Sequence, residues 1–549
     1  MTGQDEDVIR VLSFVPFSGI WPHAVAEAQL LKLLGTKDFE RHLLTCGRGI
    51  QQFCTVMESR GMSLASLDHE RDRVCGRCCR DARLVADRTK AQHHDLAQFA
   101  LEGDDEWIDG QLSRLNPATY LDFEIDGVPL GRIAAYETLI KYKKTSSNLS
   151  PLEFDYYRAT LGNCLSTYVA GSRALAAIDP QVLFVYSPQY GVPGTLARLA
   201  SERGSRVIFV EGSSNIAERY SSVRLWEWTE FGLVNPALDA WDHREARDWR
   251  RHVDRSLNHV RELAESKSFS VYSTKAIGAS ARSHFRIEDG QPIVLAALSS
   301  YDEAFSAVII GGFPEGKFTS HVFADQLAWI RSLLIWAEAR PDVCLVIRLH
   351  PRDFANKREG HEAEQAGLWT DLLASVPGNV RIDHPSQAFP LHDLLNDVNV
   401  LTTGWSATAI EALLKAIPVV TYDGCLPSYP SGIHLSGETV EQYFENLEAA
   451  LLHGRSPEHR EAVLEWLTYN FVQGTVRTGG RVRDRGPRLM RRMRSVILAA
   501  AERLAPGVVH RLDLAMPLDR RDVGRLLEFA QGESNSLFEL GPPRGTQPK

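Results

Sequence analysis

Short unbroken apolar runs alternate along this chain with longer stretches whose apolar residues recur at helical spacing. Val8 to Phe17 (VIRVLSFVPF) reads as a buried strand, Ser18-Gly19-Ile20-Trp21-Pro22 as its exit loop, His23 to Leu34 as an amphipathic helix ending at Gly35, and His42 to Cys46 as a second strand. A strand–loop–helix–strand opening is how a doubly wound α/β domain begins. The loop carries one glycine and not G-x-G-x-x-G, so it is no dinucleotide fingerprint. Residues 80–120 read as charged helix, with His93 and His94 on its solvated face. Glu153 to Ala177 reads as one long helix, Val182 to Tyr186 as a strand, Gly194 to Arg203 as a helix and Arg206 to Val210 as a strand ending on Glu211-Gly212-Ser213.

A charged helix over 243–266 fits a linker, after which the same pattern restarts. Pro292 to Leu298 is strand-like and exits through Ser299-Ser300, and Phe323 to Arg340 is helical. Val343 to Leu349 is a strand ending on His350-Pro351-Arg352, and Val380 to Ile382 is a short strand. Asn399 to Thr402 is a strand that gives way through Thr403, Gly404 and Ser406 to a helix over Ala407 to Ala416; Pro418 stops it before Val419-Val420-Thr421. Such a turn offers backbone N–H groups and a positive helix end to an anion. With a histidine at a neighbouring strand end, it makes a cradle for a nucleotide phosphate, and Glu411 faces the same crevice. Tyr429 and His434 lie in a following loop that borders the crevice or is plain surface. Helices are expected over 440–453 and 457–470.

Length and charge narrow the class. A chain of 549 residues is too long for one core. The divisions expected are an α/β domain over 1–265, a second over 266–455, helices over 456–530 that cross back to the first domain, and a disordered tail over 531–549. A formal charge of −9 gives no reason to expect nucleic acid. No run reaches the ~20 apolar residues of a membrane span, and the acidic start MTGQDEDVIR has no apolar core, so a cytoplasmic protein is expected.

His-Pro at a strand end, then G-x-S leading into an x-x-x-x-E-A helix that ends K-A-x-P-V-V, resembles the C-terminal donor domain of GT-B glycosyltransferases. The likeness is nearest to bacterial capsule and surface-polysaccharide transferases, among them the Kdo transferases, bacterial sialyltransferases and CDP-glycerol transferases. It is specific over 290–425, thin over 1–230 and absent from the last stretch. It implies two Rossmann-like domains facing a cleft, a nucleotide-sugar donor, a glycan or lipid-linked acceptor and no metal in catalysis; no D-x-D stands where a metal-dependent enzyme would carry it. On this reading Arg348 or Arg352 and the Ser406 turn offset phosphate charge, with Ser299, Ser300, Thr403, Gly404 and Glu411 around the donor. His350 assists the departing nucleotide. Glu211 activates the acceptor hydroxyl, or else pairs with an arginine, and Ser18, Gly19, Gly212 and Ser213 line the acceptor side. The resemblance to the acidic-Gly motif of the sialyltransferases is incomplete, since Val210 stands where a second acidic residue often does. A CDP-polyol phosphotransferase, a sugar-nucleotide 2-epimerase and a non-catalytic GT-B scaffold are the alternatives.

Two segments stand outside this picture. Cys46, Cys54, Cys75, Cys78 and Cys79 place five of the eight cysteines in an insertion over 46–80. Cys46, Cys54, Cys75 and Cys78 suit a structural zinc site, or are reduced core cysteines around a chance C-x-x-C. The flanking Arg73, Arg77 and Arg80 suggest a loop. From Arg477 to Arg494 eight arginines stand among small residues, which suits an anionic membrane surface at the inner face or a lipid-phosphate carrier, the phosphates of a nucleotide donor, or a solvated basic face.

Overall fold

In the computed structural model, the structure describes residues 8–35, 37–50, 53–228, 233, 235–244, 249–265, 272–314, 320–356, 360–422, 429–481, 497–501 and 504–540. Among these, thirteen strands form two sheets. The first holds β1 (Ile9–Val15), β2 (Phe39–Thr45), β3 (Gln92–Asp95), β4 (Val182–Tyr186), β5 (Arg206–Gly212) and β6 (Ser222–Glu227). The second holds β7 (Ile293–Ala297), β8 (Cys344–Arg348), β9 (Val380–Asp383), β10 (Val400–Thr403), β11 (Val419–Tyr422) and β12 (Leu435–Gly437). β13 (Val476–Arg477) returns to the edge of the first sheet, antiparallel to β6.

The second sheet is parallel throughout, in the order β12-β11-β10-β7-β8-β9. Numbered within its lobe this is 6-5-4-1-2-3, the doubly wound order, with its reversal between β7 and β10. The parallel part of the first sheet, β5-β4-β1-β2-β3, repeats that order and reverses between β1 and β4. Helices cover both faces, so the inner strands are buried on both sides. IVLAA in β7 and CLVIR in β8 are accordingly buried at every position. The layout is that of the GT-B fold: two Rossmann-like lobes, each with a crevice outside the carboxyl ends of its strands.

The chain departs from the periodicity reading where polar residues hide a regular element. His93 and His94 lie on the edge strand β3, not on a helix; their partners on β2 supply the ladder, and the His42 and His94 rings stack at 5.4 Å. The cysteine flanks expected as a loop form the helix Asp68–Thr89. β6 was hidden in a tryptophan-rich stretch; it pairs with β5 from Ile208↔Glu227 to Gly212↔Val223, and Trp226 stacks on Phe209 at 4.1 Å. The tail expected to be disordered is packed as far as Leu540: Ser536 bridges Trp226, Leu537 is fully buried, and the Arg206 guanidinium donates to the carbonyls of Phe529 and Ser534.

The helix Pro457–Gln473 sets Val463, Trp466, Leu467 and Phe471 into the core of the second lobe. β13 follows it into the first sheet, and the helices Pro506–Ala515 and Val523–Ala530 pack on Trp21–Leu34 of the first lobe. The lobes also meet at a polar seam. Lys143, fully buried and at φ 51°, donates through Nζ to the carbonyls of Phe354 (3.1 Å) and His361 (2.5 Å). Beside it Lys144 pairs with Glu364 at 2.5 Å, and Arg352 donates to the Ile140 carbonyl at 2.6 Å.

Candidate functional site

Where strand order reverses in a parallel sheet, the two flanking loops part and leave a crevice. In the second lobe the crevice lies between Ser299, just past β7, and the Gly404-Trp405-Ser406 turn, just past β10. The Trp405 N–H donates to Ser299 Oγ at 3.2 Å and closes its floor. Gly404 is held close: a Cβ there would meet the Tyr422 hydroxyl at 3.1 Å. His350 leaves β8, the next strand over, two strand spacings or roughly 10 Å from the Ser406 turn. The sheet thus gathers Ser299, His350, Thr403, Gly404 and Ser406 along one edge.

The chemistry of this edge differs from the expectation in three respects. First, the turn does not offer bare N–H groups at every position: Ser406 N–H donates to Thr403 Oγ1 and Thr408 N–H to Ser406 Oγ, both at 3.3 Å. Its hydroxyls are engaged as well, Thr403 Oγ1 donating to the Ala297 carbonyl at 2.7 Å and Ser406 Oγ to Thr408 Oγ1 at 3.1 Å, and the helix behind it is only Thr408–Leu413. Second, neither arginine is a free phosphate ligand. Arg348 stands opposite Asp383 in the parallel ladder of β8 and β9, forms a buried ion pair with it and donates to the Phe389 carbonyl at 2.9 Å. Arg352 forms a buried pair with Asp302 at 2.7 Å besides its bond across the seam, and Ser300 caps the same Asp302 at 2.5 Å. Third, Glu411 lies 2.9 Å from His392 and is spent on that contact within the lobe.

His350 is half-buried. The Arg352 N–H donates to its Nδ1 at 3.3 Å, which leaves the ring proton on Nε2. Burial, then the nearby charges of Arg352, Arg348 and Lys143, pull its pKa down to about 3. It is therefore a neutral imidazole whose Nε2–H is a hydrogen-bond donor at the strand end. Tyr429 is buried against His434, ring centroids 5.4 Å apart, rather than lying in a surface loop.

The first-lobe crevice contains a residue that the sequence pattern passed over. Between the loops after β1 and β4 is a pocket of about 240 Å3 of atom-free space lined by Phe17, Thr55, Glu137, Tyr156, Thr160 and Val192. Glu137 sits on the helix Leu130–Lys141, accepts from the Thr55 hydroxyl at 3.0 Å, and has its pKa raised to about 7, first by burial and then by Glu58. Thr55, Thr160 and Lys141 oppose the rise. The available signal was positional: Glu137 follows Leu130, Ile133 and Ala134 at helical spacing, so it occupies a core place. Tyr136 and Tyr190, ring centroids 5.3 Å apart, lie between this pocket and the second lobe. Burial raises both phenols, and both feel the charges of Arg352 and Glu303.

The other acceptor-side candidates are placed differently. Glu211 is at the end of β5, over a third exposed (38%) and paired with Arg224 on β6 at 2.8 Å. Gly212 lets the chain pass where a Cβ would meet the Arg219 carbonyl at 2.8 Å, and its N–H donates to the Tyr186 hydroxyl. Ser213 is buried and caps the turn at Asn215. Ser18 and Gly19, expected on the acceptor side, are buried in the loop after β1 beside the cysteine cavity. The Ser18 hydroxyl turns back to the Val15 carbonyl at 2.9 Å, and the Gly19 N–H donates to Cys78 Sγ at 3.2 Å.

Cys46, Cys54, Cys75, Cys78 and Cys79 all line one cavity in the first lobe. Among the described residues, no three metal-ligating side chains converge on one ion-sized point, so the expected zinc set is a ring of thiols around a space. Of the arginine run, 482–494 lies outside the described residues; Arg477 donates its N–H to Asp522 and Arg481 stacks over the Tyr220 ring at 4.7 Å, both in the fold. Among the described residues no helix is long and apolar enough to cross a membrane.

No family model matches the chain, and no curated protein matches it. Solved structures similar to it include a putative UDP-N-acetylglucosamine 2-epimerase from Listeria monocytogenes (12% identity, TM-score 0.26, covering 83% of this chain and 93% of that one). They also include Thermosulfurimonas dismutans KpsC, beta Kdo 2,4 transferase (14% identity, TM-score 0.33, covering 54% and 81%). A third is the spinosyn rhamnosyltransferase SpnG (14% identity, TM-score 0.25, covering 83% and 94%). Scores this low carry no residue roles across, and the fold stands on the strand orders of the chain's own two sheets.

Proposed function

We propose that the protein transfers a sugar from a nucleotide-activated donor to a hydroxyl of a glycan or lipid-linked acceptor, as in the assembly of a surface polysaccharide, without a catalytic metal. The observation that carries this reading is the pairing of two crevices across one seam: a neutral imidazole beside hydroxyl-bearing side chains in the second lobe, and a half-buried carboxyl with a raised pKa in the first. The donor's diphosphate lies along Ser299, His350 and the Ser406 turn. Nε2–H of His350 bonds a phosphate oxygen and strengthens that bond as negative charge builds on the leaving nucleotide. Glu137 takes the acceptor proton as the hydroxyl attacks the anomeric carbon; a carboxyl with a pKa near 7 is matched to that task. Glu211, the carboxylate expected there from sequence, is held by Arg224 and orients the rim.

Glu137 also supports a second reading. A sugar-nucleotide 2-epimerase needs an acid/base carboxyl in the first lobe, and Glu137 supplies one. Incubation of the pure protein with CMP-, CDP-, UDP- and GDP-sugars, with and without glycan acceptors, separates the two. Transfer releases nucleotide only when acceptor is present. Epimerisation converts the donor in its absence. If no nucleotide sugar in the panel binds or reacts, both readings fail.

A further inference from the structure

The loop after β2, the helix Thr55–Glu58 and the helix Asp68–Thr89 together enclose the cysteine cavity, about 440 Å3 of atom-free space partly open to solvent. Three of the four stretches of chain that wall it contribute thiols; the fourth, the loop after β1, contributes Pro16 and Ser18. Cys46 follows β2; Cys54 is the residue before Thr55–Glu58; Cys75 and Cys78 are one turn apart on a single face of Asp68–Thr89. We propose that Cys46, Cys54, Cys75 and Cys78 are the four ligands of a thiophilic metal centre, with the geometry of a cluster site.

Backbone donors surround the sulfurs. Gly47 (φ 56°) and Arg48 (φ 73°) take consecutive left-handed conformations, which turn the Arg48 and Ile50 N–H groups toward the Cys46 sulfur. The Gly49 N–H between them closes the turn on the Cys46 carbonyl at 2.8 Å. The Val56 and Met57 N–H groups lie toward Cys54, and the Gly19 N–H donates to Cys78 Sγ at 3.2 Å. A neutral thiol is a weak acceptor, so the Gly19 N–H aimed at Cys78 Sγ suits a thiolate bound to metal. Arg48 adds a cation beside Cys75. The four thiols border one cavity with the apolar side chains of Ile50, Val56 and Val74; a single zinc ion needs all four sulfurs at one tetrahedral point, whereas an iron–sulfur cluster is held by four thiolates spaced around it, so the cluster is the preferred form of the centre.

The centre ties together parts of the first-lobe crevice. Cys78 holds Gly19, where a Cβ would collide with Val56 Cγ1 at 2.6 Å, and Cys54 precedes Thr55, the donor to Glu137. The metal site does not depend on the transfer reading, because it is tested without any assay of activity.

The test is metal and acid-labile sulfide analysis of the full chain purified without oxygen, with its visible absorption spectrum. Stoichiometric iron with sulfide and a charge-transfer band supports the cluster. Stoichiometric zinc without sulfide supports the four-thiolate centre in its single-ion form and removes the cluster preference. Cys75→Ser and Cys78→Ser each lose at least nine-tenths of the metal, whereas Cys344→Ala, buried in the second lobe, keeps it. If the wild-type chain carries neither metal as isolated and takes up neither on anaerobic reconstitution with iron and sulfide or with zinc, the proposal is overturned. Retention of full metal by Cys75→Ser and Cys78→Ser overturns the ligand set.

Discussion

The two crevices are built on the same strand order and carry opposite chemistry. In the second lobe the strong charges at the strand ends have partners close by, Asp383 for Arg348, Asp302 for Arg352 and His392 for Glu411, and Asp353, buried behind them, has its pKa raised to about 7 by burial and by Asp302. What remains facing the crevice is neutral and hydrogen-bonding. In the first lobe the half-buried Glu137 has hydroxyls for partners, and desolvation outweighs the opposing influence of Lys141. A phosphate brings its own charge and needs oriented donors; an attacking hydroxyl brings a proton and needs a group that can take it. A common topology has been divided between these tasks through which buried groups are paired and which are left to titrate.

The largest expected effect comes from removing the first-lobe carboxyl. Glu137→Gln keeps the shape and the hydrogen bond from Thr55 but cannot accept a proton. Turnover should fall on the order of 10²- to 10⁴-fold with little change in donor KM. A pH profile checks the assignment. The groups around Glu137 include Cys54, Thr55, Glu58, Lys141, Tyr156, Thr160, Cys164 and Tyr190, and the wild-type rate should rise through pH about 7 as the carboxyl ionises. Stability should move the other way. The folded pKa of about 7 lies above the ordinary 4.5, so the folded state holds the proton more tightly. That contribution is complete below pH 4.5 and is lost as pH rises toward 7, on the order of 3 kcal/mol. Glu137→Gln should flatten this slope in chemical denaturation. A variant with unchanged turnover would leave the first crevice without its base.

Next comes the donor side. His350→Ala removes one neutral donor from the leaving-group phosphate, and loss of one such donor typically costs about 10²- to 10³-fold in kcat. Since the imidazole is already neutral, with its pKa at about 3, wild-type activity should show no titration of this group between pH 5 and 8. A pH break in that range abolished by His350→Ala would contradict the tautomer set by the Arg352 N–H.

The second lobe was legible because its strands are apolar runs ending in unlike punctuation: His-Pro in one place, Gly-x-Ser in another. Each run gave the strand, and each ending gave the residue at its carboxyl edge. Partners were not legible. Nothing local in VCLVIRLHPR says that Arg348 meets Asp383; that follows from the register of two strands 35 positions apart in sequence. Glu137 was missed for the converse reason: a single glutamate in a helix looks like surface until its neighbours are seen to be core. β3 and β6 escaped because histidines, charges and tryptophans in edge strands do not alternate cleanly. The cysteines were visible as a cluster, but their helix was masked by its arginines.

The smallest expected effect distinguishes the two carboxylates most sharply. Glu211 stands at a strand end, where sequence reasoning sought the base, but its carboxylate is over a third exposed and paired across the antiparallel ladder with Arg224. An ion pair that open to water is worth about 0–1 kcal/mol. In Glu211→Gln the Arg224 guanidinium keeps its place over the Trp226 ring, 4.9 Å from the centroid, so the strand pair should hold. Turnover should change by less than about fivefold, carried mainly in acceptor KM, because the rim shifts while the proton acceptor is untouched. A loss of 10²-fold or more in kcat from Glu211→Gln, with Glu137→Gln nearly silent, would reverse the roles and move proton transfer from the buried pocket to the exposed rim.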